Sequence, residues 1–442
     1  MSRLPSAAGS VSHHGWHESR LPGNSLRPSA QRTDGSAEGP LNAGRRLEGS
    51  RPLRPLFGLN VLTTFTIGIV PPLLPLFADQ WSLSPVEVGL INTVYAIGRL
   101  AASYPAARLR AGRGTRATVE LGLAALIAGA LACGVAPRFP VFLAGRLVMG
   151  AGASVAFLAI LAELLEAGPV PWRGRLANAF EGMSIVSLAA GGVCSAVLAA
   201  ALSWRAVFWA ASLLLLLNVG VARWIRPDAG RRDFESGGRG LWRSTQLRAL
   251  APVYVATASL SLVWAGLFAT MVPLLGYDRY GIAGSALGWA LAVGYLAEVA
   301  SLIGLGFVID RMRREPAFLK GSLAVAAGGV VLALGSHPAI FPLGLALVGG
   351  GFAIWMIPPT VLADRAGTPL PLGHLAMYRI VMDGGMIVGP LLVSGVAELV
   401  GERGAVGAAG FILVGGALIL ARSGRGRGRQ LHGAPWPGDT SS

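Results

Sequence analysis

Lysine is all but absent from this chain of 442 residues: Lys320 stands alone, so the 37 basic residues that set a net charge of +15 are almost wholly arginine. Charge of either sign is sparse, at 13% of residues. The arginines fall between apolar stretches and at the termini rather than on a basic face with interleaved aromatics, so no nucleic-acid partner is expected. Cysteine is as scarce, and Cys133 and Cys194 lie in separate apolar stretches without a partner motif, which reads as small core residues rather than a disulfide framework. His13, His14 and His17 have no Cys or acid beside them, and His337 and His374 sit in no ligand spacing, so no metal is expected. A phosphate-cradling Gly-x-x-x-x-Gly-Lys loop is also missing. Neither ATP-driven pumping nor another enzyme activity is expected, and no cofactor other than a coupling proton.

What the chain does have is apolar length. Hydrophobic residues make up 53% and the mean hydropathy is +0.58, more than a soluble domain of this size can hide. Runs of about 20 residues, enough to cross ~30 Å of hydrocarbon, follow one another from Leu56 to Ala421. The pattern predicts an all-α membrane protein of about twelve spans in the lipid bilayer. Residues 51–224 and 249–421 each hold six spans, joined by a cytoplasmic linker at 225–248. The polar stretches 1–50 and 422–442 read as disordered tails.

Alternate loops must lie on alternate sides. One set carries Arg108, Arg110, Arg113, Arg116, Arg173, Arg175, the arginines of the linker, Arg311, Arg313, Arg314 and Lys320, while the other offers only Arg138, Arg205, Arg279 and Arg403. Short cytoplasmic loops collect arginine, so both termini are expected in the cytoplasm and the protein in the plasma membrane, as a monomer.

Polar residues inside spans need a reason, because a charge at the bilayer centre costs roughly 2.5–3.5 kcal/mol on insertion scales. Arg146, in the fourth span, is followed by Gly150 and Gly152, which let a neighbouring backbone approach. The fifth span has Glu181-Gly182 and the eleventh Asp383-Gly384, an echo between the two halves. Glu181, Glu298 and Asp383 are buried carboxylic acids of the kind a proton-coupled carrier uses. Arg379 lies four residues before Asp383, which also permits a structural ion pair. Matching Gly288 to Gly89 puts Glu298 where Arg99 stands, as a packing pair or a coupling pair. Glu163 and Glu166 fall near the end of their span and read as surface charge.

The loop after the eighth span runs Gly306-Phe307-Val308-Ile309-Asp310-Arg311-Met312-Arg313-Arg314, close to a Gly-x-x-x-Asp-Arg-x-Gly-Arg pattern with Arg313 in place of the second glycine. Together with Arg146 and its glycines, Trp204-Arg205 at the start of the sixth span, and Tyr378-Arg379 to Gly389-Pro390 in the eleventh, it resembles the major facilitator superfamily, over roughly Leu56 to Ala421. The first-half counterpart of the loop has Leu109 where the aspartate belongs. The resemblance implies two pseudo-symmetric six-helix halves around a central cavity, and a gating loop at Gly306, Asp310, Arg311 and Arg314. It also implies cavity lining by the first, fourth, seventh and tenth helices. On those helices Asn60, Phe65, Arg146, Phe157, Trp264 and Trp355 are the candidate substrate contacts.

Aromatics with few hydrogen-bonding groups suit a partly apolar organic solute. The expected function is a secondary transporter exporting a small organic molecule in exchange for protons, similar to the drug exporters of that superfamily. Glu181, Asp383, Glu298 and Arg146 would handle the proton, with Arg146 holding an acid or a bound anion. A symporter or facilitator importing a metabolite anion on Arg146, and a non-transporting membrane sensor, are the other readings.

Overall fold

The computed structural model describes residues 53–169, 172–225, 244–308, 311–366 and 372–431. Ten helices among them are long and apolar enough to cross a membrane. They are α1 (Arg54–Trp81), α2 (Pro85–Val135), α3 (Phe139–Ala167), α4 (Arg173–Ala201), α5 (Trp204–Ala222), α6 (Ala249–Asp278), α7 (Gly284–Val308), α8 (Arg314–Leu334), α9 (Ile340–Ala366) and α10 (Met377–Ser423).

Two of these are double. A helix of 51 residues such as α2 would stretch about 76 Å at 1.5 Å per residue, far more than a bilayer. It reverses at Gly114, whose φ of 84° and ψ of 170° only glycine adopts freely. Gly401, with φ 77° and ψ 161°, does the same in α10. One glycine thus does the work that the sequence pattern assigned to a loop over Arg108–Arg116. With two crossings each for α2 and α10, six precede the linker and six follow it. The linker's 226–243, the tail 1–50 and Asp310 of the gating loop lie outside the described residues, and the last helix continues to Leu431.

Local chemistry sets several helix ends. Ser84 and Glu87 form a reciprocal capping box at the start of α2, with Glu87 accepting from the Ser84 N–H at 2.8 Å and Pro85 in the first helical position. The Ser203 hydroxyl accepts from the Ala206 N–H at the start of α5. In α1, Pro71 and Pro72 tighten the chain into a 3₁₀ turn over Pro71–Leu73, the bend that its prolines predict.

Within the first half, α3 packs on both arms of α2 through glycine. A Cβ on Gly150 would collide with the Tyr95 carbonyl, one on Gly98 with that of Leu147, and one on Gly152 with the Gly122 carbonyl at 2.6 Å. Phe77, Phe142, Trp204 and Phe208 fill the end of this half opposite the arginine-rich loops, with Phe77 and Phe142 centroids 4.8 Å apart and Arg205 over Trp204 at 4.6 Å.

The halves meet along two seams, the first arm of α2 against α10 and α4 against α7. Gly89 lies under Pro390 and Ser394, and Gly288 under Gly192 and Ala196. At the face opposite the arginine-bearing loops, the Tyr277 hydroxyl donates to Asp79 at 2.8 Å and the Val86 N–H to Glu398 at 3.2 Å, each joining one half to the other.

Gly150→Leu should lower stability by about 1–3 kcal/mol through overpacking, read as an earlier thermal melt of the detergent-purified protein. Gly220→Ala, in open space on α5, should leave the melt nearly unchanged.

Candidate functional site

Asp383 is the most completely buried acid in the structure's middle, at 1% exposure, and it is bracketed by two cations. Arg99 of α2 reaches it across the seam at 3.3 Å, and Arg379, one turn earlier on α10, stands at 3.4 Å in ion-pair contact without hydrogen-bond alignment. Arg99 also touches the Met386 sulfur at 3.7 Å. The Arg379 guanidinium lies 6.0 Å from the Phe157 ring, which packs on Phe180 at 5.1 Å. Both the local pair and a second one, between halves, are present. Arg99 therefore partners Asp383 and not Glu298.

Glu181 is half-buried on α4, where Arg379 and Arg99 both act on its charge. Glu298 on α7 is 2% exposed. Trp264 and Trp355, with centroids 6.3 Å apart, are its neighbouring donors, yet its Oε2 and the Trp264 Nε1 are buried without a hydrogen-bond partner. Behind them Phe268 packs on Tyr295 at 4.9 Å. A cavity of about 990 Å³ opens between α1, α4, α7 and α9, lined by Phe65, Gly182, Met183, Leu302, Gly306 and Met356 among others. Glu181 and Glu298 precede the lining residues Gly182 and Val299 on α4 and α7, and Arg175, Asn178, Ser187 and Thr360 add polar groups to the lining.

Other expected site residues stand elsewhere. Arg146 is 2% exposed and faces α2: its guanidinium lies 4.4 Å from the Tyr95 ring and 3.5 Å from the Ile91 carbonyl and the Asn92 side-chain oxygen. None of its described contacts is a carboxylate, so in this structure it does not hold an acid: the ring and two neutral oxygens meet part of its charge, and its Nη1 is buried without a hydrogen-bond partner. Asn92 in turn donates to the Ala269 carbonyl and to Thr270 at 2.9 Å, linking Arg146 to the other half. That contact falls in a π-helical stretch of α6, Trp264–Met271, where the Thr270 hydroxyl donates to the Ala265 carbonyl at 2.7 Å.

Asn60 is likewise turned away from the cavity. Fully buried, it donates to the Phe180 carbonyl at 3.0 Å and to the Ser184 hydroxyl at 2.9 Å, fastening α1 to α4. Of the other candidates, Phe65 lines the cavity, Phe157 lies by Arg379, and Trp264 and Trp355 flank Glu298.

At the arginine-bearing end, Gly306 and Arg311 are exposed and Arg314 pairs with Asp364 of α9, while Arg365 meets Glu315 at 3.3 Å. The first half has its own brace, which sequence reading missed. Glu163 is 4% exposed, accepts from Thr115 at 2.8 Å and from Arg110 at 3.4 Å, and Glu166 takes Arg110 at 2.8 Å. The surface reading is therefore corrected for Glu163, while Glu166 is exposed as expected. A span-end acid next to a span-end arginine was the available signal, but their contact joins residues 53 positions apart.

A Major Facilitator Superfamily model matches residues 56–369, well over half of the chain. The chain belongs to the Major Facilitator Superfamily. Multidrug resistance protein MdtL of Escherichia coli strain K12 is 21% identical over 291 residues, 64% of this chain and 72% of its own length, and the Shigella boydii serotype 18 protein of that name matches to the same extent. Solved structures share the fold. Nucleoside transporter NupG superposes with a TM-score of 0.69 at 12% identity, covering 85% of this chain and 99% of its own. The human organic anion transporter MFSD10 gives 0.64 at 16%, covering 84% and 99%. This major facilitator protein is thus a multi-pass membrane transporter of a small molecule, not an enzyme.

The Arg99–Asp383 pair crosses between the halves of the transporter in a largely buried setting. Arg99→Gln and Asp383→Asn, made singly and together, should show a coupling of about 1–3 kcal/mol in thermal or denaturant stability. Additive effects would mean that the contact does not hold the seam.

Proposed function

We propose that this transporter exports a small, partly apolar organic compound across the plasma membrane in exchange for protons, by alternately opening its cavity to either side. The observation that carries this reading is the Glu298 carboxyl group, enclosed at 2% exposure with an unpartnered oxygen, on the helix that lines the cavity with Val299, Leu302 and Ile303. A lone negative charge in such a place carries a penalty of several kcal/mol. Binding a proton removes it, and exposure to water on the other side releases the proton. Glu181 stands on α4, whose Gly182 and Met183 line the cavity, and a proton on Asp383 would let go of Arg99 and loosen the seam. These three acids are the proposed proton carriers. Arg146, packed on Tyr95, is assigned to joining the halves.

The arginine-bearing face is assigned to the cytoplasm on the positive-inside rule. The opposite face is held shut by the Asp79–Tyr277 and Glu398–Val86 bonds, which supports an inward-facing state. Arg110 with Glu163 and Glu166, and Arg314 with Asp364, brace each half internally at its arginine-bearing end, so the halves can rock as bodies around the cavity. The gating loop around Gly306, Arg311 and Arg314 joins the second of these braces. Phe65, Phe157, Trp264 and Trp355 supply the apolar contact surface. Efflux as the direction is supported by the name that the MdtL relatives carry.

In vesicles reconstituted with the protein and loaded with a pH-sensitive dye, a transported aromatic compound should move protons in the opposite direction. Glu181→Gln should cut pH-gradient-driven flux at least about tenfold, a loss of the size expected when a proton-transferring group is removed. Gradient-driven flux at the normal rate in that variant, or flux that requires ATP, would overturn the reading.

A further inference from the structure

The arginine-bearing end of the large cavity holds a cation with no countercharge among the described residues. At the other end of the seam between α4 and α7, Gly288 lies under Gly192 and Ala196, but Gly182 of α4 and Gly306 of α7 each have nothing within 4 Å of the place a Cβ would take. The two helices part toward the arginine-bearing face, and the cavity of about 990 Å³ fills the opening. Along α4 its lining runs from Arg175 to Ala190, a rise of about 22 Å at 1.5 Å per residue. Arg175 is the one charged residue among the described lining residues, and Asn178, a turn further on, is the polar side chain next to it.

Other guanidinium groups at this end are met by acids: Arg110 by Glu163 and Glu166, Arg116 by Glu120, Arg314 by Asp364 and Arg365 by Glu315. Arg175 has no carboxylate or hydrogen-bond partner among the described residues; its guanidinium lies 5.4 Å from the Trp172 ring, and the first turn of α4 holds no acid. The remaining polar lining is already engaged. Ser187 donates to the Val61 carbonyl, and Thr360 to the Met356 and Ile357 carbonyls at 3.1 and 2.8 Å. A guanidinium and an amide at the mouth are left for a ligand, with Phe65, Met183, Val186, Leu302, Ile303 and Met356 supplying an apolar wall. A planar guanidinium matches the paired oxygens of a carboxylate, phosphate or sulfonate. The wall matches an apolar body.

We infer that the transported solute is an amphiphilic organic anion: an oxyanion head held by Arg175 and Asn178 at the cavity mouth, with an apolar body lying between α4 and α7. The inference rests on the transporter reading above and names the solute class. Arg175 and Glu181 are separated by about 9 Å of rise along α4, so a head at the mouth stays clear of that acid. An organic cation is disfavoured at the mouth by the same guanidinium.

The test uses three probes that share a ring system and differ in head: pyrenebutanoic acid, pyrenebutanol and pyrenebutylamine. Binding to the purified full chain in phosphatidylcholine nanodiscs is measured by calorimetry at mildly alkaline pH, with empty nanodiscs subtracted. The acid should bind at least about tenfold more tightly than the alcohol, as one charge-assisted contact implies, and the amine most weakly. Arg175→Gln should remove the acid's advantage and leave binding of the alcohol as it was. Arg175→Lys should keep part of that advantage, as a point charge without the planar fork. Arg173→Gln, outside the lining, should leave the ranking intact, which a merely diffuse surface charge would not.

Equal binding of acid and alcohol, tighter binding of the amine, or equal losses from Arg173→Gln and Arg175→Gln would overturn the inference. So would disappearance of the acid's advantage in nanodiscs made with phosphatidylglycerol, which would give the site to a lipid headgroup instead of a solute. Should the variants fail to fold, the ranking of the three probes on the unaltered protein decides alone. Failure of the export reading is distinguishable: acid binding without proton movement in vesicles would remove proton coupling and leave the anion site standing.

Discussion

An ionised group in a bilayer-spanning protein has to find its countercharge inside the protein, and the pairing of Asp383 with Arg99 is where this chain meets that requirement across its own midline. The acid comes from the second half and the cation from the first, so the pair ties the halves together in addition to the Arg379 contact within the second half. Such a pair contributes little net stability relative to apolar residues of the same shape, but separating it leaves a buried charge uncompensated. That asymmetry suits a seam that must hold one arrangement firmly and still exchange it for another.

Close helix approach is what makes the contact possible. Glycines at the crossings of α2 with α3 and along both seams remove the side chains that would keep the backbones apart. Polar residues then work between helices rather than toward a solute: Asn60 ties α1 to α4, Asn92 ties Arg146 to the π-helical stretch of α6, and Glu163 ties α3 to the two arms of α2. A buried amide or carboxylate needs its hydrogen bonds met, and the nearest helix meets them. What faces the cavity is mostly aliphatic, with Phe65 and a few polar groups, Arg175 and Asn178 among them.

Much of the fold was legible in the chain itself. The length and spacing of the apolar runs, the arginine asymmetry of the loops and the repeated acid–glycine pair all follow from local constraints that a linear sequence records. The breaks at Gly114 and Gly401 were less legible, because a reversal made by one glycine leaves no polar loop to notice. The site was legible as a set of residue types and not as a set of partners. Arg379 with Asp383 could be read from a spacing of four, whereas Arg99 with Asp383 joins residues 284 positions apart.

Hydropathy and periodicity act over a few turns of helix, so the linear chain already implies many membrane spans in two related halves, with Arg146, Glu181, Glu298 and Asp383 in apolar surroundings. Which group each of them meets depends on the packing of helices far apart in the chain. Arg146 settles on a tyrosine ring, Asp383 takes two arginines, and Glu298 lies by Trp264 and Trp355, because those outcomes depend on which helix faces come together inside and between the halves.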